Sequence, residues 1–153
     1  MKPGNNDHTF LFVPARWAGK GMLSIIGGPS EPITLEIIAS QGGTGTITVH
    51  MELDFSQTKR EGGVETIYTL SPNGKDSFEL VQNHSKLGRL EGHAVLTKRT
   101  IILTFQNKDG TYAGFEAAEK IDENHYHLRG ALSLNGMPSS VLEAAVRRLG
   151  SRN

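Results

Sequence analysis

The chain contains no cysteine, so neither a disulfide framework nor thiolate chemistry is open to it. It has no surplus of charge, because Lys plus Arg and Asp plus Glu both number 16. A balanced field with no basic stripe does not steer a protein toward nucleic acid, and no nucleic-acid partner is expected. A membrane helix is missing too: the longest apolar run, Ile33 to Ala39, is broken by Thr34 and Glu36 and falls far short of the roughly 20 residues a span needs. The charged, Asn-rich start from Met1 to Asp7 lacks the apolar stretch of a signal peptide, which makes a cytoplasmic location the expectation. No helical period competes with other patterns before residue 139, and no catalytic signature stands out.

What is present is alternation with period two. Ile47, Val49, Met51, Leu53 and Phe55 stand against Thr46, Thr48, His50, Glu52, Asp54 and Ser56, the pattern of a strand with one dry and one wet face. Turn chemistry cuts the chain at Gly27-Gly28-Pro29, Gly42 to Gly45, Glu61-Gly62-Gly63, Pro72-Asn73-Gly74, Asn107 to Gly110, Asp122 to Asn124 and Asn135-Gly136. Strands are predicted near 17–26, 32–39, 45–55, 63–71, 75–84, 88–97, 100–106, 112–121 and 124–134. The break at Lys98-Arg99 has neither Gly nor Pro, so one longer bent strand is the alternative there. Connections this short suit hairpins in sequence order and leave no room for helical crossovers. The expected fold is one all-β domain over residues 1–153, an antiparallel up-and-down barrel of about eight to ten strands.

Two terminal segments fall outside that pattern. Residues 1–9 are expected to be disordered. Ser140 and Glu143 have capping-box spacing, Pro138 precedes them, Arg147 and Arg148 follow, and Gly150 suits a helix end. A short C-terminal helix over 140–149 is therefore predicted, with Leu142, Ala145, Val146 and Leu149 as its apolar stripe lying on the barrel.

Alternation also assigns an inward face. It collects Val64, Tyr68, Leu70, Phe78, Leu80, Leu90, Leu96, Ile101, Leu103, Phe105, Phe115, Ile121, Tyr126, Leu128, Leu132 and Leu134, together with five small residues, Gly92, Ala94, Ala113, Ala117 and Gly130. Small inward residues leave volume, so the lumen holds either a small ligand or the bulk of large neighbours and Trp17. Thr66, Tyr68, Gln82 and His84 interrupt the apolar face. A few convergent polar groups in an apolar pocket orient a ligand; Tyr68, Gln82, His84, Phe115 and Tyr126 are the candidate ligand-binding residues.

Trp17-Ala18-Gly19-Lys20-Gly21, preceded by Phe10, Leu11, Phe12, Val13 and Pro14, resembles the opening of calycin barrels, the lipocalin-like superfamily. The resemblance extends to uncharacterised bacterial lipocalin-like domains and, more distantly, to nitrobindin-type haem barrels. It implies that Trp17 packs under the barrel floor as a structural residue. Ala15 stands where lipocalins usually place a Gly. No haem-ligating His is fixed by it.

His125-Tyr126-His127 puts two imidazoles on one strand face, a spacing that metals use, but no third ligand follows. Gly42 to Gly45 leads into a strand and so cannot present a phosphate to a helix N-terminus. The sequence thus favours a non-enzymatic barrel that binds a small, largely apolar molecule without a cofactor. The alternatives are a haem or metal protein using His84 or the His125/His127 pair, an isomerase or cyclase acting by confinement, and a solid-cored module that acts through its outer face or as a homodimer.

Overall fold

The computed structural model describes residues 7–55 and 63–150. Ten antiparallel strands follow one another: β1 (Ala15–Ile25), β2 (Ser30–Gln41), β3 (Ile47–Phe55), β4 (Val64–Gly74), β5 (Ser77–His84), β6 (Gly88–Leu96), β7 (Thr100–Gln106), β8 (Tyr112–Asp122), β9 (His125–Leu134) and β10 (Met137–Arg148). Each pairs with its neighbours in sequence, and β10 returns to pair with β1, so the sheet closes into a barrel. Closure leaves no strand edge unpaired. At the β9–β10 hairpin Asn135 (φ 53°) and Gly136 (φ 80°) both take positive φ, the conformation that two-residue turns matched to strand twist require. The reversal at Lys98-Arg99 needs no glycine, because the Thr97 hydroxyl accepts the Thr100 N–H at 3.1 Å and Thr97 N–H donates to the Thr100 carbonyl at 2.8 Å. Glu61 and Gly62 of the expected third turn lie outside the described residues.

From β3 to β7 the inward parity is the one read from the alternation. Val49 and Leu53 are buried between exposed Thr48 and Glu52, while Met51 is half-buried against the lumen. Tyr68, Leu80, Leu90 and Leu103 are buried likewise.

Leu134, at the end of β9, is 39% exposed despite its inward assignment, and on strand β8 every inward assignment shifts by one. Phe115 and Ile121 are exposed, at 44% and 56%, and Ala113 and Ala117 share their face. Gly114, Glu116 and Ala118 point inward instead. The cross-strand pairs explain the choice: Ile101 faces Ala118 and Phe105 faces Gly114. A side chain at Gly114 would lie 2.9 Å from the Phe105 ring, so β8 can sit beside β7 only with its small residues inside. Leaving Phe115 outside costs little, since single exposed apolar residues are normal.

The expected C-terminal helix over 140–149 is absent. Those residues form most of β10, with Ala144 and Val146 buried and Leu142 half-buried on alternate positions, while Glu143 turns outward to Arg129 at 3.5 Å. A ten-residue helix is marginal alone, whereas a tenth strand satisfies the open backbone edges of β1 and β9 together. The ladder β1–β10 runs from Trp17 opposite Arg148 to Ile25 opposite Ser140. Gly21 permits it: a Cβ there would stand only 1.9 Å from the Glu143 carbonyl.

The N-terminal segment closes one end of the barrel. Phe10, Leu11 and Phe12 are buried, and Trp17 is fully buried. Trp17 meets Phe10 and Tyr126 edge to face, with centroids 5.0 and 5.6 Å apart. His8, read from sequence as part of a disordered start, is buried: its Nδ1 lies 2.7 Å from the Tyr126 hydroxyl and its Nε2 2.7 Å from the Thr97 carbonyl. Residues 1–6 of that start lie outside the described residues.

Candidate functional site

Above this floor the lumen holds two adjoining chambers. A small one of about 50 Å³ rests on Phe10 and Leu11. A larger one of about 220 Å³ extends toward the other end, where Leu23, Leu53, His84 and Ser140 border it. Met51, Tyr68, Glu116 and Leu142 belong to both walls and form the waist between them. About 150 Å³ of apolar cavity accepts a benzene-sized guest, so the larger chamber has room for one or two fused rings.

Adjacent strands β4 and β5 supply the polar groups. Thr66 pairs across the ladder with His84, and Tyr68 with Gln82, which sets all four on one patch of the inner wall. The Tyr68 hydroxyl reaches across the barrel and donates to both Glu116 oxygens, at 3.0 and 3.2 Å. Burial pushes the Glu116 carboxyl up to about 7 against the opposing pull of that hydrogen bond. Burial, and then the nearby Glu116, hold the Tyr68 phenol well above its ordinary range.

Gln82 is 1% exposed, and its Nε2 has no hydrogen-bond partner. A buried amide left in this state forfeits on the order of 1–3 kcal/mol, a debt that a ligand acceptor in the adjoining chamber would cancel. His84 Nδ1 accepts the N–H groups of Lys86 and Leu87, both at 3.1 Å. Accepting two donors requires an unprotonated Nδ1, and burial followed by Lys86 lowers the ring's pKa. The imidazole is therefore neutral and carries its proton on Nε2.

The structure brings Tyr68, Gln82 and His84 to one chamber and separates the other candidates. Phe115 touches the chamber wall from a strand position whose side chain is largely exposed. Tyr126 is locked into the floor with His8, Phe10 and Trp17, and borders neither chamber. Trp17 is fully buried in the floor against Phe10 and Tyr126. His125 sits on the outer face with Nδ1 2.8 Å from Asp122, and neither it nor His127 joins a third metal-ligating group among the described residues. The one such trio is His50, Glu52 and Glu65 on the outside of β3 and β4, where His50 already contacts Glu65. Haem does not fit: the larger chamber is below the roughly 300 Å³ at which pockets for drug-sized molecules begin, and the macrocycle is bulkier than those.

Sequence reasoning missed Glu116. A charged residue flanked by Phe115 and Ala117 reads as outward when the Phe is placed inside. The available signal was the small pair Gly114 and Ala118, spaced to face Phe105 and Ile101.

No known protein family matches the chain, and no curated protein is significantly similar to it. Solved structures do resemble it. Rv2717c from M. tuberculosis superposes with a TM-score of 0.75 at 15% identity, over 98% of this chain and 99% of that one. The S-type phycobiliprotein lyase CPES from Guillardia theta gives 0.69 at 12% identity, over 92% and 90%. At such identities the likeness concerns the fold alone. The chain thus has the fold of these structures, here an antiparallel barrel closed by ten strands.

Proposed function

We propose that this protein is a non-enzymatic binding barrel that takes up a small, largely apolar molecule in its lumen. The observation that carries the reading is the unpartnered Gln82 Nε2, buried beside a chamber of about 220 Å³. Interiors normally pack without voids of this size and pair their buried amides, so the void and the open donor together mark a place for a guest. Tyr68, Glu116 and His84 give that guest a polar end to meet, and the rest of the wall is mostly apolar. The likeness to a phycobiliprotein lyase is compatible with small-molecule handling but supplies no ligand.

The test is native mass spectrometry of the protein as purified, followed by titration with naphthalene-based fluorescent probes. Saturable, one-to-one binding that weakens by about 1–3 kcal/mol in Gln82→Leu is the expected result. Absence of binding to every apolar probe would refute the reading and leave the outer face as the working surface.

A further inference from the structure

We propose that the lumen selects a molecule bearing a basic nitrogen, whose cationic end docks on the Glu116 carboxylate with the apolar body filling the larger chamber. This deepens the binding-barrel reading and rests on it. The Glu116 side chain stands at the waist shared by both chambers, and among the described residues its one polar side-chain partner is the Tyr68 hydroxyl.

Among the described residues no cation faces it. From β4 come Thr66 and Tyr68, and from β5 Gln82 and His84, whose imidazole is neutral. The lining residues from β1, β3, β6 and β7 are apolar, as is Ile37 from β2, and β10 adds only the neutral Ser140 to its Leu142. Arg129 of β9 borders the small chamber, but its side chain is 62% exposed and lies 3.5 Å from Glu143 outside the barrel. Lys120, further along β8, is held at the floor by the Asp7 carbonyl and by Glu123.

An enclosed carboxylate with no counter-charge is stabilised more by an arriving cation than by any neutral group. A carboxylate ligand meets the reverse condition, two like charges in one small cavity. The free Gln82 donor then serves a hydroxyl or carbonyl carried elsewhere on the same molecule. Because the Glu116 carboxyl titrates at about 7, a proton and the ligand cation compete for it. Binding of an amine therefore strengthens as pH rises through neutrality, and binding of an acid weakens.

Three probes of one skeleton separate the possibilities: 1-naphthylmethylamine, 1-naphthalenemethanol and 1-naphthoic acid, titrated calorimetrically at pH 5.5 and 8.5. The amine is expected to bind at least about tenfold tighter than the alcohol at pH 8.5 and to lose about tenfold or more at pH 5.5. Glu116→Gln, its fold checked by circular dichroism, should erase both effects. Tyr68→Phe, which keeps the carboxylate, should retain the amine preference. If alcohol and amine bind alike, if the acid binds best at pH 8.5, or if Glu116→Gln still prefers the amine, the nitrogen selectivity is wrong while the binding barrel stands. If none of the three binds at either pH, both readings fall.

Discussion

Replacing Glu116 by Gln removes one titrating proton and keeps the side chain's shape and an oxygen for the Tyr68 hydroxyl. The carboxyl is raised from an ordinary 4.5 to about 7, so the folded protein holds a proton that the unfolded chain has already released. Stability from this group is full below about pH 4.5 and is lost as pH rises through 7. The gap of roughly 2.5 units corresponds to about 3 kcal/mol at 1.36 kcal/mol per unit, an upper bound because the carboxyl adjoins a cavity with room for water. Denaturant unfolding of parent and variant at half-unit steps from pH 4.5 to 8.5 isolates the effect, since the other titrating groups are common to both proteins. The Glu116→Gln protein should gain on the parent steadily between pH 5 and 8, by up to about 3 kcal/mol. Two stability curves that stay parallel across that range would show that Glu116 is not enclosed as described.

The remaining expectations concern packing and are read by the same unfolding measurements. Trp17→Ala should cost about 3–5 kcal/mol, because Trp17 is fully buried between Phe10 and Tyr126; a loss under 1 kcal/mol would contradict a structural role. Phe105→Ala should cost a similar amount, and Phe115→Ala should stay within about 0.5–1 kcal/mol as an outer-face change; the opposite ranking would restore the parity expected for β8 from sequence. Gly21→Val should destabilise by several kcal/mol or prevent folding, since its Cβ would strike the Glu143 carbonyl, and a neutral result would mean that β1 and β10 are not in close register.

The course of the chain from β1 to β7 was legible because each strand there buries one face only, so alternation carries the fold and the turns carry the topology. The inward placement of Tyr68, Gln82 and His84 was legible for the same reason: polar residues out of phase on a dry face are visible. Strand β8 was not legible, because Ala113, Gly114, Ala117 and Ala118 place small residues on both faces. The parity then depends on the partner strand, where Phe105 and Ile101 demand the small positions, and no local pattern records that. Strand β10 failed differently. Capping and turn signals around Ser140, Glu143 and Gly150 are local, whereas the demand for a tenth strand comes from the unpaired edges of β1 and β9, which exist only once the rest of the barrel has formed. Glu116 was lost with the parity of its strand.

With Phe10, Leu11 and Phe12 seated over one end of the ring, the lumen is a blind well and not a pore. A guest of the proposed kind would, among the described residues, have one door to enter and depart by, so its orientation would be decided on the way in: the group that reaches Tyr68 and Glu116 would lead, and the opposite end would trail toward Leu23 and Leu132. Chemical elaboration is consequently one-sided. Extensions on the trailing end of such a guest would project toward the opening, while a single methyl added beyond its leading group would have to be absorbed by a chamber of about 50 Å³ backed by the floor.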